Sequence, residues 1–459
     1  MERLFIANRG EIALRIIRAC RQLGVESVLA VSTADRDSLP ARAADRTVVV
    51  GEPAPRASYL NVGSIVAAAA GTGCDALHPG YGFLSEDARL AEACADEGIT
   101  FVGPSPDVLR GLGNKLAARE AARRADVSIT PGREVETEEQ GLAFAVEHGY
   151  PLMLKAVSGG GGRGIRVVRN DQDLRDQIGL ARSEALAAFD DERVYIEPYI
   201  VNGRHIEVQI LRDSHGNTAI LGERDCSLQR RHQKVLEESP APNLPDALRS
   251  AIYSDAECLA DSVDYHGAGT VEFLVDVARG AHYFLEVNAR LQVEHPVTEV
   301  VTSTDLVAEQ LRVADGQPVS EHLRGGAVSP TGWAIEARVN CEDPANGFLP
   351  RPGRITHMEF PGGPGIRVDT YCQTGSMVPP YYDSLIAKVI AHGRDREEAR
   401  RRLVGALREM TIEGISHNIP FLLALLGEPD VREGRIHTQW LPQFLERQQA
   451  DQSTERTSA

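Results

Sequence analysis

The stretch YHGAGTVEFLVDVARGAHYFLEVNARLQVEHPVTEV, residues 265–300, decides how the rest of the chain is read. It contains two apolar runs, Thr270–Val277 and His282–Val287, separated by Ala278-Arg279-Gly280-Ala281. This pattern predicts two antiparallel strands joined by a short turn. Side chains alternate faces along a strand, so Glu286 and Asn288 share one face, and Glu272, Leu274 and Asp276 share a face of the partner. Where those faces coincide, Glu272, Glu286 and Asn288 bring oxygen donors together between otherwise apolar strands. Two carboxylates and an amide oxygen are hard ligands, suited to Mg²⁺ held jointly with substrate phosphates. Arg290, Gln292, Glu294 and His295 follow at the mouth of the same pair. A half-exposed hairpin with a solvated polar face is the bland alternative. It is disfavoured because a carboxylate on an apolar strand carries a burial cost that something must offset.

Upstream, Pro151–Val157 and Ile165–Arg169 read as strands around Ser158-Gly159-Gly160-Gly161-Gly162-Arg163-Gly164. The glycines match G-x-G-x-x-G, but between two strands, which excludes a dinucleotide fold, and no Gly-Lys-Ser/Thr follows to make a P-loop. A glycine hairpin of this kind resembles the loop that covers nucleotide phosphates in kinases, whose catalytic-loop motifs are absent here. Lys155, on the entering strand, is within reach of a phosphate. A surface hairpin is the poorer reading, because four consecutive glycines cost backbone entropy.

Further towards the N-terminus, residues 3–8 read as a buried strand, Glu11–Leu23 as a helix stopped by Gly24, and Val25–Ser32 as the next strand. This βαβ rhythm continues through Ile65–Ala70, Ala76–His78, Ala88–Asp96 and Thr100–Val102, predicting one doubly wound α/β domain that ends near residue 112. Gly71–Ala76 matches a loose dinucleotide pattern but follows a helix, so it reads as a loop. The segment 78–86 sits where such sheets bind ligands, and on spacing alone a plain turn fits it equally well. Residues 114–126 read as a helix and Asp173–Ala188 as another; Val194–Ile200, His205–Leu211 and Trp333–Asn340, which bears Arg338, read as strands. Arg224–Glu238, with four arginine or lysine residues and His232, reads as a charged loop. Residues 354–392 read as further strands and Arg394–Glu409 as a helix.

With 459 residues the chain is long enough for about three domains. Its net charge of −17 argues against nucleic acid as the main partner. No apolar run is long enough to span a membrane, and the N-terminus lacks a signal-peptide core. The cysteines are scattered with no Cys-x-x-Cys pair, as expected of reduced core thiols in a cytoplasmic protein.

Five motifs occur in order: IANRGEIALRI at 6–16, HPGYGFLSE at 78–86, SGGGGRGIRVV at 158–168, ERDCSLQRRHQKVLEESPAP at 223–242 and FLEVNARLQVEHPVTE at 284–299. Through them, residues 1 to about 445 resemble biotin carboxylase, the ATP-grasp component of biotin-dependent carboxylases. The resemblance implies a mixed α/β and α+β ATP-grasp fold. Its parts would be an N-terminal doubly wound domain (1–112), linker helices with a mobile lid (113–202), a catalytic core (203–330), a C-terminal domain (331–445) and a disordered tail (446–459). It implies carboxylation of biotin at N1′ by ATP and bicarbonate through carboxyphosphate.

By matching motif positions, Lys115, Lys155, Gly160, Gly161, Gly162, Glu197, His205, Gln229, His232, Lys234 and Leu274 resemble ATP contacts. Glu272, Glu286 and Asn288 resemble ligands of two Mg²⁺ ions, for which Mn²⁺ can substitute. Arg290, Gln292, Val293 and Glu294 resemble the bicarbonate and biotin pocket, which Arg338 and Tyr81 would also face. Glu294 suits the general base, and Lys234, Arg290 and Arg338 complete the catalytic set. Two departures stand out. The family's usual Glu-Lys is Glu197-Pro198 here, which puts an adenine contact in doubt, and Asn288-Ala289-Arg290 keeps the functional positions of the usual Asn-Thr-Arg or Asn-Pro-Arg. No methionine neighbours a lysine, so biotin is expected on a separate carrier protein, with a separate carboxyltransferase. A homodimer is implied by resemblance only. The acceptor is open: acetyl-CoA, as in fatty acid biosynthesis, propionyl-CoA or pyruvate. The rivals are another ATP-grasp ligase, against which the RLQVEHP run at 290–296 and Arg338 argue, and a catalytically silent scaffold, against which the presence of Lys234, Glu294 and Arg338 argues.

Overall fold

A computed structural model describes residues 1–157, 165–189, 191–231 and 233–448. The glycine loop, including Gly160, Gly161 and Gly162, lies outside the described residues, as do His232 and the polar tail from 449.

The N-terminal part is a parallel sheet of β1 (Arg3–Ile6), β2 (Glu26–Ser32), β3 (Arg46–Gly51), β4 (Ala76–His78) and β5 (Thr100–Phe101), in the order β3-β2-β1-β4-β5. The predicted βαβ rhythm is therefore present. The helix after β1, Gly10–Leu23, buries Ile12, Ile16, Ala19 and Cys20 and stops at Gly24, whose φ of 74° is the left-handed conformation glycine accepts without strain. The strand order reverses between β1 and β4, and a ligand crevice forms at the carboxyl ends of strands flanking such a reversal. The segments after both strands are clamped together there. Asn8 Nδ2 donates to Pro79 O at 2.7 Å and to Tyr81 O at 2.8 Å. Gly80, with φ of 64°, lies so close that a Cβ would stand 2.7 Å from Asn8 Nδ2.

A small antiparallel sheet follows, built from β6 (Arg133–Val135), β7 (Leu152–Ala156), β8 (Ile165–Val168) and β9 (Val194–Pro198) in the order β6-β9-β7-β8. Pro198 closes β9, a position that tolerates a missing N–H. Helices Glu138–His148 and Asp171–Phe189 accompany this sheet, and a compact apolar cluster including Phe144, Leu152, Leu154, Leu174 and Ile196 holds it together.

The largest sheet contains β10 (Arg204–Arg212), β11 (Thr218–Arg230), β12 (Gln233–Ser239), β13 (Gly267–Asp276), β14 (Ala281–Asn288), β15 (Trp333–Asn340) and the strands Ile366–Thr370 and Leu385–Gly393. Its order is β14-β13-β10-β11-β12-β15, then Leu385–Gly393 and Ile366–Thr370, with every neighbouring pair antiparallel. Residues on either side of position 330 thus belong to one ladder. No helix among the described residues is long and apolar enough to cross a membrane. All seven cysteines are unpaired, and only Cys258 is exposed.

Two expectations are corrected. Arg224–Glu238 is not a charged loop but the hairpin of β11 and β12, with Arg224, Glu237 and Glu238 buried. Its charges are stable inside because each meets an opposite charge: Arg224 meets Glu207 on β10, Glu237 meets Arg338 on β15, and Glu238 meets Arg396 at the start of the helix Arg396–Glu409. The expected tail does not begin at 446, because a helix runs through residues 440–448. Trp440 and Phe444 anchor it, their rings stacked with centroids 5.2 Å apart.

Candidate active site

A cleft of about 840 Å³ opens where the carboxyl ends of β1 and β4, the inner strands of the small sheet and one face of the large sheet converge. The β13–β14 hairpin forms part of its floor. Glu272 is directly opposite Glu286, and Thr270 is opposite Asn288. The register then slips, because Phe273 pairs with Phe284 and Leu285 is left as an extra, exposed residue. This bulge lets Phe284 return to the core while Glu286, two residues on, stays beside Glu272. The face-sharing predicted for Glu272, Glu286 and Asn288 is therefore realised.

Glu272 is also opposite Glu207 on β10, and Glu207 is opposite Arg224 on β11, so a charged row crosses four strands. Arg224 is fully buried. Its guanidinium meets Glu207 Oε1 at 2.6 Å and donates to Gln209 Oε1 at 2.8 Å and Thr298 Oγ1 at 2.9 Å. Lys234, from β12, lies 2.6 Å from Glu207 Oε2 and 3.4 Å from Glu272 Oε1, and its Nζ also donates to Glu294. On the other side of Glu294, Arg338 donates to Oε2 at 2.8 Å and to Glu237 Oε1 at 2.5 Å. Burial raises the Glu294 pKa, but Lys234 and Arg338 outweigh it and hold the carboxyl below its usual range. Glu294 is wholly buried beneath the cleft and is fixed between its two cations.

His205 Nε2 stands 3.1 Å from Glu272 Oε2, and the Gln229 amide is 2.9 Å from its Nδ1. Burial disfavours the imidazolium, yet the Glu272 charge prevails and pushes the His205 pKa up to about 10. Glu272 is held well below the usual carboxylate range, because His205 and Lys234 overcome its burial. Glu286 behaves oppositely. Enclosure by the cleft and repulsion from Glu272 raise it, and among the described residues it forms no salt bridge. Asn288 donates to Glu272 Oε1 at 2.8 Å, and its Oδ1 accepts from Arg290 Nη2 at 3.0 Å.

An Mg²⁺ ion fits this hairpin. Two facing carboxylates and an amide oxygen supply hard donors, and the unpaired Glu286 leaves negative charge there to be neutralised. Two other groups with ligand chemistry, His205/Glu207/Glu272 and Glu207/Cys226/Glu294, have donor atoms within 4.8 Å of one another. Both enclose Lys234, which already supplies the cation, so they read as an ion-pair network.

The remaining expected residues arrange themselves around this core. Lys155 Nζ is 2.6 Å from Glu197 Oε1 across β7 and β9. Lys115 begins a helix capped by Asn114, which accepts from Leu116 N at 3.1 Å and Ala117 N at 3.0 Å, and faces the same cleft. Arg290 pairs with Glu86 at 3.0 Å and donates to Gln292 Oε1 at 3.0 Å. Tyr81, Gln292, Val293 and Arg338 line the same cleft. Leu274 is not among the cleft-lining residues; it lies opposite His205 and Tyr283. Sequence reasoning missed Glu207, Arg224, Glu237 and Lys388. The signal for Glu207 was present in HIEVQIL, where a carboxylate interrupts an apolar strand as Glu272 does.

A three-part chain with a glycine-rich sequence between β7 and β8, lysines facing a carboxylate hairpin, and a parallel sheet in front defines an ATP-grasp enzyme. Family profiles described as biotin carboxylase, N-terminal domain, carbamoyl-phosphate synthase L chain, ATP binding domain, and biotin carboxylase C-terminal domain match residues 1–109, 114–322 and 336–443. Biotin carboxylase 1 of Bacillus subtilis is 50% identical over 446 residues, covering 97% of this chain and 99% of that protein. The chloroplastic biotin carboxylase of Arabidopsis thaliana is 44% identical over 442 residues, covering 96% of this chain and 82% of that one. A Campylobacter jejuni biotin carboxylase solved in an ATP-analogue complex superposes with a TM-score of 0.87 at 42% identity, covering 96% of this chain and 98% of that one. The biotin carboxylase domain dimer of Hydrogenobacter thermophilus 2-oxoglutarate carboxylase, solved with MgADP, ADP and bicarbonate, gives 0.85 at 41% identity, covering 96% and 97%. The chain belongs to the biotin carboxylase family and, with it, to the ATP-dependent carboxylating ligases.

Proposed function

We propose that this chain carboxylates biotin at N1′ on a separate biotin carboxyl carrier protein, using ATP and bicarbonate, as the first half-reaction of an acyl-CoA carboxylase. The observation that carries the reading is Glu294, buried between Lys234 and Arg338 where the carboxylate hairpin meets β15. Glu294 takes the proton of bicarbonate, whose oxygen then attacks the γ-phosphorus of ATP and displaces ADP, giving carboxyphosphate. Lys155, Lys115 and Lys234 neutralise the phosphoryl oxygens, with His205 and Gln229 holding the nucleotide end of the row. Mg²⁺ on Glu272, Glu286 and Asn288, or Mn²⁺ in its place, would supply charge neutralisation at the phosphates. Carboxyphosphate releases CO₂ and phosphate, and phosphate removes the N1′ proton. Arg338 stabilises the resulting ureido enolate, whose N1′ attacks the released CO₂ to give carboxybiotin, while Arg290, Gln292 and Val293 hold bicarbonate and Tyr81 borders the biotin ring. The units 1–112, 113–202, 203–330 and 331–445 serve as the working parts, and the protein acts as a homodimer beside a carboxyltransferase.

The test is ATP cleavage by the purified protein with Mg²⁺ and bicarbonate, with and without free biotin. Stimulation by biotin together with carboxybiotin formation is expected. Cleavage indifferent to biotin would transfer the chain to another ATP-grasp ligation.

A further inference from the structure

Lys388 lies in the Leu385–Gly393 strand, between Asp369 and Arg338 in the cross-strand register, and is wholly buried. A buried ammonium must satisfy its charge and its donors locally. Its Nζ donates to the carbonyl of Val293 at 2.8 Å, pairs with Glu11 Oε1 at 2.9 Å and stands 3.9 Å from Asp369. Asp369 has its own partner, the Arg367 guanidinium, at 3.0 and 2.7 Å, so it does not require Lys388 as a counter-ion. Glu11 Oε1 also accepts from the Tyr81 hydroxyl. One ammonium therefore joins the Val293 peptide, the N-terminal helix and, through Glu11, the Tyr81 wall of the cleft.

The adjoining peptide is held as well. His295 Nδ1 lies 2.8 Å from the carbonyl of Gln292. Burial, reinforced by the Lys388 charge, keeps this imidazole neutral, so its Nδ1–H is the donor. A trans peptide points its C=O and N–H in opposite directions. Anchoring the Gln292 and Val293 carbonyls therefore turns the N–H groups of Val293 and Glu294 away from Lys388 and His295. Among the described residues, neither N–H donates a hydrogen bond. Gln292 and Val293 line the cleft.

We propose that Lys388 is a positioning residue for bicarbonate: by gripping the Val293 carbonyl it orients the 292–294 peptides that receive the anion, and through Glu11 it sets them against Tyr81. This rests on the functional reading above.

The test compares the parent with Lys388→Met and with Lys388→Met/Glu11→Gln, in which both buried charges are gone. Each is measured for KM of bicarbonate, KM of ATP and thermal midpoint. Losing a charge-assisted grip on the peptide should raise the bicarbonate KM about ten- to a hundredfold while the ATP KM stays within about twofold. The double variant should recover thermal stability without recovering bicarbonate affinity, which a purely structural lysine would not do. A bicarbonate KM that is unchanged, that rises in step with the ATP KM, or that returns with stability in the double variant would overturn the inference. Parent protein whose ATP cleavage ignores bicarbonate would instead overturn the functional reading, and this inference with it.

Discussion

Replacing Glu294 by glutamine keeps the shape of the side chain and removes one charge and one proton acceptor. Both carboxylate oxygens are engaged, Oε1 by Lys234 and Oε2 by Arg338 at 2.8 Å. An amide offers a single acceptor, so one of these cations faces an N–H instead. Lys234 keeps Glu207 at 2.6 Å and Glu272 at 3.4 Å, and Arg338 keeps Glu237, so both stay in place. The nucleotide end of the cleft is untouched, and the ATP dissociation constant should remain within about threefold of the parent. Turnover should not. Lys234 and Arg338 hold the Glu294 carboxyl below its usual range, and on the proposed reading it is this carboxylate that takes the bicarbonate proton. A general base contributes about 10²–10⁴ in rate, or roughly 3–5 kcal/mol of barrier at 1.36 kcal/mol per decade. Bicarbonate-dependent phosphate release at saturating ATP, paired with calorimetric nucleotide binding, reads both quantities. A kcat within tenfold of the parent would refute the base assignment, and a parallel loss of ATP binding would make Glu294 a support for Lys234 instead.

Arg338→Ala should slow carboxybiotin formation more than bicarbonate-dependent ATP cleavage, since the enolate forms only in the later step; equal losses would count against that role. Arg224→Met removes the 2.6 Å partner of Glu207 Oε1 and leaves that buried carboxylate with Lys234, and denaturant unfolding should register a loss of about 3–5 kcal/mol, as for other broken buried pairs. A loss under about 1 kcal/mol would mean that Lys234 alone satisfies Glu207. Glu336 is buried with neither carboxylate oxygen hydrogen-bonded among the described residues, and its pKa is raised by burial and by Glu237 opposite it. A raised acid contributes stability that is full below its unfolded pKa and is lost as pH rises towards the folded one. Glu336→Gln should therefore match the parent in thermal midpoint near pH 5 and exceed it increasingly up to pH 9; a constant difference would contradict the shift.

The parallel sheet and the carboxylate hairpin were legible because strand periodicity and apolar patterning are local properties. Glu272 and Glu286 announced themselves as acids on apolar strands. The bulge at Leu285 did not, since nothing in AHYFLEVN distinguishes a regular strand from one that skips a partner. Arg224–Glu238 was misread for a deeper reason. Dense charge predicts a solvated loop when each residue is judged alone, whereas here Glu207 neutralises Arg224 from a strand 17 residues away and Glu294 receives Lys234 from another segment altogether. Lys388 posed the same difficulty: a single lysine in LIAKVIAHG gives no hint that its partners are Glu11 and Val293. Charges are readable locally, but their compensation is a property of the assembled sheet.

The continuous ladder across residue 330 limits how this enzyme can be divided. β12 and β15 are joined through Leu236–Ala337, Glu237–Glu336, Glu238–Ile335 and Ser239–Ala334. Cutting the chain between them would turn β12 into a bare edge, its backbone groups unpaired and its two glutamates facing solvent beside Leu236, the kind of surface on which strands of other molecules assemble. A chimera that exchanges the C-terminal piece for that of a relative would have to match this seam residue by residue. For exchanging parts between relatives, the portable unit is accordingly the whole sheet, and variation is best grafted onto loops at its rim.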